Sequence, residues 1–284
     1  MTRPNPRPGC WLPVWLGLCL LTGCATLPPV PASPAVRMAD DGTLLKEWLS
    51  RAPGVRTLQG VAKARVQTPE RSLSATQVIL VEAPDRLRTE ALSPFGTPVL
   101  VMATDGRELG AMLPGDRLLY RGKPTPENLE RFTRMSLRLP ELVGILLYRP
   151  PMLAYRQAST WQLAPGGWRV DLETPPRRQE LLFDAERRLT EVRYLYQDEL
   201  LLSLVYGDFR TELDLFPGRV ELALPQQGVR VSLVYSEQIL DQALKPELFV
   251  LQPAEGMTVV AIDEPLPAAS GEGSGEPRAE ESSK

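Results

Sequence analysis

The sequence predicts an α+β fold that is mainly β, in which one large curved sheet or barrel is accompanied by a few helices. Short runs of alternating or continuous apolar residues, each ending at Pro, Gly or Asp, recur from about residue 58 to residue 235. Such runs are typical of an antiparallel meander. Three segments with helix-start signals interrupt them. Roughly a dozen strands at this spacing favour a single large sheet over a layered α/β fold.

The strands are predicted in two groups, one on each side of the helical middle of the chain. Asp105-Gly106 is a two-residue hairpin signal within the first group. The first group spans residues 58–66, 73–81, 86–92, 99–104, 107–113 and 117–120. The second group spans residues 161–163, 168–172, 180–183, 189–196, 200–206, 219–224 and 229–235.

Each of the three helices has its own signal. Asp41 can cap a helix over residues 43–49, whose leucines and Trp48 share one face. Thr125-Pro126-Glu127 is a helix start with proline in the first turn. Residues 140–148 begin in the same way and are apolar nearly all round. This last helix must therefore be covered, either by the sheet or by what the sheet holds.

The amino terminus has the features of a secretory signal. Arg3 and Arg7 precede an apolar run over residues 11–21, which is too short to cross a bilayer of about 30 Å as a stable helix. The run ends in Leu21-Thr22-Gly23-Cys24, which resembles the bacterial lipobox. That resemblance implies cleavage after residue 23 and acylation of Cys24. An uncleaved membrane anchor is the alternative.

Composition excludes most catalytic chemistry. The chain has no histidine, and its three cysteines are Cys10, Cys19 and Cys24. With the first two in the signal and the third acylated, the mature domain has no thiol or imidazole for a catalytic triad or a zinc site. Carboxylate-only and Ser-Lys catalysis stay open by composition, but the sequence holds no motif for either. We therefore expect no enzyme activity, no metal and no cofactor apart from the covalent lipid on Cys24. Loss of Arg3 and Arg7 moves the formal charge from −3 to −5, which argues against nucleic acid as a partner.

The predicted mature chain has three parts. Residues 24–39 are rich in Pro and Ala and should form a semi-extended tether. Residues 40–263 carry the strands and helices and form the folded domain. Residues 264–284 are rich in Ser, Gly, Glu and Pro, which predicts a disordered acidic tail.

The order of strands, a helical pair and more strands behind a lipobox resembles the LolB family of outer-membrane lipoprotein receptors and, more broadly, the LolA/LolB superfamily. The resemblance is strongest from residue 86 to residue 148, where a strand, a Pro-Phe-Gly loop and the next strand precede the two helices. It implies an incomplete antiparallel β-barrel of about 11 or more strands, with helices covering an apolar cavity. It also implies that the cavity takes acyl chains of lipoproteins and that the loop hydrophobe contacts the membrane.

The resemblance assigns the membrane-insertion loop to Pro94, Phe95 and Gly96. Pro and Gly bracket the ring in a turn, which favours an exposed tip, although the ring could instead fold into the core. The apolar residues of the strands and of the third helix are the candidate cavity lining, and a packed core is the alternative for them. The candidates are Leu80, Leu92, Leu100, Met102, Met112, Leu119, Leu142, Ile145 and Leu146.

Two functions remain open at this point. The first is an outer-membrane lipoprotein, lipid-anchored and facing the periplasm, that binds lipoprotein acyl chains and helps insert them into the outer membrane. Its partners would be membrane lipids, the acylated cargo and a periplasmic LolA-like carrier. Ala25 follows the acylated cysteine at the position where an aspartate would resemble the inner-membrane retention signal of enteric bacteria, so the resemblance implies the outer membrane. The second is a structural or assembly lipoprotein that binds a protein partner without lipid transfer.

Overall fold

A computed structural model describes residues 35–38, 42–51 and 54–263. The lipobox, Cys24, the Asp41 cap, the acidic tail and most of the predicted tether lie outside the described residues. Their assignments stay predictions. Among the helices that are described, none is long and apolar enough to cross a membrane.

The described residues form one curved, open sheet of fifteen strands. Neighbouring strands pair antiparallel, except that the last strand runs parallel to β7. The strands are β1 (Ala35–Arg37), β2 (Thr57–Gln67), β3 (Ser72–Glu82), β4 (Arg86–Leu92), β5 (Pro98–Thr104), β6 (Leu109–Leu113), β7 (Leu118–Gly122), β8 (Gln157–Leu163), β9 (Gly167–Thr174), β10 (Arg177–Phe183), β11 (Leu189–Tyr196), β12 (Glu199–Arg210), β13 (Phe216–Leu224), β14 (Val229–Leu240) and β15 (Thr258–Ala261). Their order across the sheet is β1-β8-β9-β10-β11-β12-β13-β14-β2-β3-β4-β5-β6-β7-β15.

The mainly β fold and the incomplete barrel are confirmed, with differences at the sheet edges. Ala35–Arg37, placed in the tether by composition, instead pairs with β8 as an edge strand. Thr258–Ala261 was not predicted as a strand and closes the other edge. The predicted two-residue hairpin is wrong, because Thr104 and Leu109 are the last paired residues and leave a four-residue loop. In that loop the Asp105 carboxylate accepts the backbone N–H groups of Arg107 and Glu108, which stabilises the longer turn.

Three α-helices lie in the described part of the chain: α1 (Thr43–Arg51), α2 (Pro126–Thr133) and α3 (Leu139–Leu146). Thr125 caps α2 by accepting the backbone N–H of Asn128, and Arg134 ends it in the left-handed region at φ 63°. The carboxylate of Glu141 accepts the backbone N–H of Arg138 at 2.9 Å and so closes the first turn of α3.

One half of the concave face is filled by aromatic side chains. Tyr148, which follows α3, lies at the centre, with its ring 4.9 Å from Tyr206 and 6.2 Å from Phe216, centroid to centroid. Its hydroxyl donates to the carbonyl of Leu189 at 2.9 Å. Trp48 of α1 packs edge-on against Tyr148 at 6.3 Å. Side chains from α1, α3 and β10 to β13 therefore close this half as an ordinary core.

The carboxyl-terminal segment covers part of the convex face. A 3-10 turn over Pro246–Phe249 leads to Leu251, which packs with Val101 and Leu119 in a small separate cluster. Arg88 and Arg121 donate to the carbonyls of Leu248 and Leu251 at 2.8 Å. The chain then turns to the sheet edge and becomes β15.

Candidate functional site

The other half of the concave face holds an open apolar pocket of about 800 Å³. It lies over β2 to β7 and beside α2. Its size falls within the range of about 300–1,000 Å³ that is typical of small-molecule sites. The lining residues are Ala64, Val66, Arg71, Leu73, Ser74, Ala75, Gln77, Ala91, Val99, Leu100, Leu113, Tyr120, Arg131, Phe132, Arg134 and Ile262.

Small side chains on the strands make the space. Ala64 on β2 lies directly opposite Ala75 on β3, and Ala91 on β4 lies opposite Leu100 on β5. Side chains of directly paired residues point to the same face, so these alanines share the pocket floor. Larger residues at the same three positions would fill it, as the aromatic rings fill the other half of the face.

The pocket continues inward into a narrower space of about 100 Å³. Leu142 and Leu146 of α3 line this inner part, together with Met102. Both spaces share five lining residues, which makes them one continuous depression. The shared residues are Ala64, Val66, Gln77, Leu100 and Phe132.

Helix α2 forms one wall, and the carboxyl-terminal strand holds it in place. Phe132 of α2 lies 5.8 Å from the ring of Tyr120, centroid to centroid. At the start of the helix, the side-chain amide of Asn128 donates to Asp263 Oδ1 at 2.8 Å. We call residues 258–263 the strap, because they run from the sheet edge to this contact and place Ile262 in the pocket wall.

The pocket mouth carries three arginines, Arg71, Arg131 and Arg134, which we call the mouth arginines. A polar recess of about 570 Å³ adjoins it and shares Arg71 and Arg134 with it. Glu70 borders this recess, and the hydrogen bond from the Thr68 hydroxyl, at 2.7 Å, lowers its pKa. The pocket is therefore apolar inside and charged at its rim.

The predicted loop projects at the same end of the strands as the mouth. Phe95 is 93% exposed. The Ser93 hydroxyl lies 2.7 Å from the Thr97 hydroxyl, and Gly96 takes φ 81°, a conformation that glycine adopts without strain. These contacts make residues 93–97 a tight turn, which we call the tip. The role of Pro94, Phe95 and Gly96 at a membrane stays a prediction.

The structure places four of the nine predicted lining residues in the depression: Leu100, Met102, Leu142 and Leu146. Ile145 is buried in the main core instead, and its carbonyl accepts the hydroxyl of Tyr206.

The other four predicted residues lie on the convex face, which corrects their assignment. On β3 the depression is lined by alternate residues such as Gln77 and Ile79. Leu80 follows Ile79 directly, so its side chain faces the other side of the sheet. Leu92 pairs with Thr76 on that same outer face. Met112 and Leu119 are paired with each other and pack with Leu251 beneath the carboxyl-terminal segment. The physical reason is the period of two along a strand.

Sequence reasoning also missed lining residues. The floor alanines Ala64, Ala75 and Ala91 and the wall residues Phe132 and Ile262 were not among the candidates. Ala75 and Ala91 had a readable signal, since the other inward positions of β3 and β4 carry larger residues such as Ile79 and Leu87. Among the described residues, no group of three or more Asp, Glu, Cys or His side chains is placed to hold a metal ion.

No protein-family model and no curated protein sequence matches the chain. Solved structures do. The chain is similar to a domain described as an outer membrane lipoprotein-sorting protein from Vibrio parahaemolyticus, with 14% identity, TM-score 0.47, and coverage of 73% of this chain and 94% of that one. It is similar to a LolA superfamily protein from Nitrosomonas europaea, with 15% identity, TM-score 0.46, and coverage of 72% and 97%. A DUF1329 family protein from Desulfovibrio piger is similar at 12% identity and TM-score 0.47, with coverage of 73% and 95%.

Proposed function

We propose that this chain binds the acyl chains of lipoproteins in the concave pocket and helps insert them into the outer membrane, to which a covalent lipid on Cys24 holds it. The observation that carries the proposal is the open apolar pocket of about 800 Å³ over the alanine floor. A periplasmic LolA-like carrier would deliver the cargo.

The chemistry of the lining fits an acyl chain. Leu100, Phe132 and Ile262 present only carbon to the pocket, and Met102 adds a flexible apolar group in the inner part. Each methylene that moves from water into such surroundings contributes about 0.8 kcal/mol. A chain of a dozen or more methylenes therefore gains far more from this pocket than any single polar contact at the rim could supply.

The tip supports delivery to a membrane. Val99 lies four residues after Phe95 in the chain. Val99 and Leu73 both line the pocket, and each is 51% exposed. Apolar side chains thus run from the exposed ring of Phe95 to the pocket interior. A membrane that receives the tip would lie next to the mouth, so that an acyl chain could pass between them with little exposure to water.

A pair of adjacent substitutions on β3 tests the pocket. Ala75→Trp puts an indole into the floor, whereas Thr76→Trp puts the same group on the convex face one residue away. The wild-type protein and both variants would be purified from membranes and extracted, and acyl lipid per protein would be measured by mass spectrometry.

We expect acyl lipid bound to the wild type and to Thr76→Trp, and a loss of at least about tenfold in Ala75→Trp, because filling the floor excludes the chain. Absence of acyl lipid from wild-type protein would favour the alternative, a structural lipoprotein that binds a protein partner. Equal lipid in all three proteins would mean that the lipid binds elsewhere.

A further inference from the structure

We propose that the mouth arginines bind the phosphate of an anionic phospholipid whose acyl chains occupy the pocket. This rests on the proposed function for the chain-binding part, and it extends the ligands from lipoproteins to phospholipids. An acylated lipoprotein terminus carries no phosphate, so lipoprotein cargo alone does not explain three arginines at the pocket rim.

The three arginines reach the rim from two elements. Arg131 lies in the last turn of α2, and Arg134 follows the helix in the left-handed conformation that ends it. Arg71 comes from the turn between β2 and β3. All three line the same pocket as Leu73 and Val99. Cationic groups on opposing walls therefore meet above an apolar interior.

These guanidinium groups form no close ion pair among the described residues. They do act on the Glu70 carboxylate, whose pKa is lowered by the Thr68 hydrogen bond and further by the charges of Arg71 and Arg134. Elsewhere in the described chain arginines commonly form close ion pairs, such as Arg88 with Glu90 at 2.7 Å and Arg193 with Glu191 at 2.6 Å. None of the salt bridges among the described residues involves a mouth arginine. Neighbouring like charges repel, and an anion between them relieves the repulsion while it gains charge-assisted hydrogen bonds.

Two carboxylates lie near the rim and limit the site without filling it. Glu70 and Glu130 line the polar recess beside the pocket, and Glu70 already accepts a hydrogen bond from Thr68. The recess of about 570 Å³ gives a headgroup room outside the pocket, next to Arg71 and Arg134. Phosphate suits this place because guanidinium groups donate paired hydrogen bonds to its oxygens.

The test uses the full lipidated chain after removal of bound lipid, with three lipid probes and one salt probe. The lipids are phosphatidylglycerol, which has a net negative charge, phosphatidylcholine, whose phosphate is balanced by choline, and diacylglycerol, which has no phosphate. The salt is inorganic phosphate. The variant is Arg71→Gln with Arg131→Gln and Arg134→Gln. The control is Arg65→Gln, because Arg65 lies on β2 between two lining residues but faces the opposite side of the sheet.

We expect wild type and Arg65→Gln to bind phosphatidylglycerol about tenfold or more tighter than phosphatidylcholine and diacylglycerol, as charge-assisted bonds allow. The triple variant should bind all three lipids alike and keep wild-type affinity for diacylglycerol. The preference should shrink as salt is raised, because the rim is exposed. If the triple variant fails to fold, Arg131→Gln alone replaces it, because Arg131 is at an exposed helix position. This variant should show a smaller loss of the preference for phosphatidylglycerol over the other two lipids.

Two results would overturn the inference while leaving chain binding intact: equal affinity of the wild type for all three lipids, or an unchanged preference in the triple variant. Displacement of phosphatidylglycerol by inorganic phosphate at equal concentration would also overturn it, since the site would then be a free-phosphate site. Failure to bind any of the three lipids would instead contradict the proposed function itself.

Discussion

Phe95→Ala should weaken the binding of the folded domain to lipid vesicles about tenfold to a hundredfold without changing its stability. The ring is 93% exposed, so nearly all of its apolar surface is available to a membrane and almost none contributes to the core. Full burial of a phenylalanine side chain contributes about 1.5–3 kcal/mol, and each 1.4 kcal/mol is a factor of ten in an equilibrium constant. An exposed position away from caps and cores changes the free energy of unfolding by about 0.5 kcal/mol or less.

Vesicle sedimentation of residues 35–263, which carry no lipid anchor, measures this directly. Ile239→Ala is the matched control. Ile239 is 54% exposed but lies at the far end of β14, where that strand pairs with Gln59, away from the turn that joins β2 and β3. Equal vesicle binding by the wild type and Phe95→Ala, or an equal loss in Ile239→Ala, would refute the assignment of the tip. In a reconstituted transfer assay with the full chain, Phe95→Glu should abolish lipoprotein insertion, because a charge at the tip opposes entry into the interface.

Three further predictions concern the strap, the filled half and a buried carboxylate. A Cβ on Gly122 would lie 2.6 Å from Ile262 and 2.8 Å from Asp263. Gly122→Ala should therefore lower the free energy of unfolding in urea by about 1–3 kcal/mol and reduce the amount of bound lipid. Gly115→Ala is the control and should change neither, because no atom lies within 4 Å of its added Cβ. Trp48→Ala should lower the free energy of unfolding in urea by about 3–5 kcal/mol, because the ring is buried between Tyr148 and Phe183. The folded variant should still bind lipid, since this core lies apart from the pocket. A loss of lipid equal to that of Ala75→Trp would contradict the separation of the filled half from the pocket. Burial raises the pKa of the Asp171 carboxyl above 3.8, and Arg169 offsets part of this rise. The protonated carboxyl therefore stabilises the fold relative to Asp171→Asn below pH 3.8, and this contribution is lost as the pH rises through the raised pKa. In urea unfolding, the free energy of unfolding of the wild type minus that of Asp171→Asn should be larger at pH 4 than at pH 7. An equal difference at the two pH values would contradict the raised pKa.

The sheet was predictable because its strands alternate and end at clear turns. β4 and β11 were predicted with the bounds that the structure has, and the cap at Thr125 and the proline starts located α2 and α3. The two edge strands were missed because Ala35–Arg37 and Thr258–Ala261 are short and mostly exposed, and neither has an apolar face that marks its period.

The site was less predictable, for reasons that lie in the packing. In β3 the run Val78-Ile79-Leu80-Val81 is apolar on both faces, so the pattern does not tell which face is the inner one. Met112 and Leu119 are apolar because a distant segment around Leu251 covers the convex face. The pocket itself depends on alanines, whose small volume matters only once their neighbours across the sheet are known.

Acyl-chain binding in the depression is tested most directly by a crystal structure of the protein soaked with a fatty acid brominated near its methyl end. We expect anomalous bromine density within the depression, between Leu100 and Phe132 and toward Leu146, in the wild type and in Thr76→Trp, and no such density in Ala75→Trp. Bromine density on the convex face, or an empty depression at saturating ligand, would contradict the claim that this half of the sheet is built to hold acyl chains.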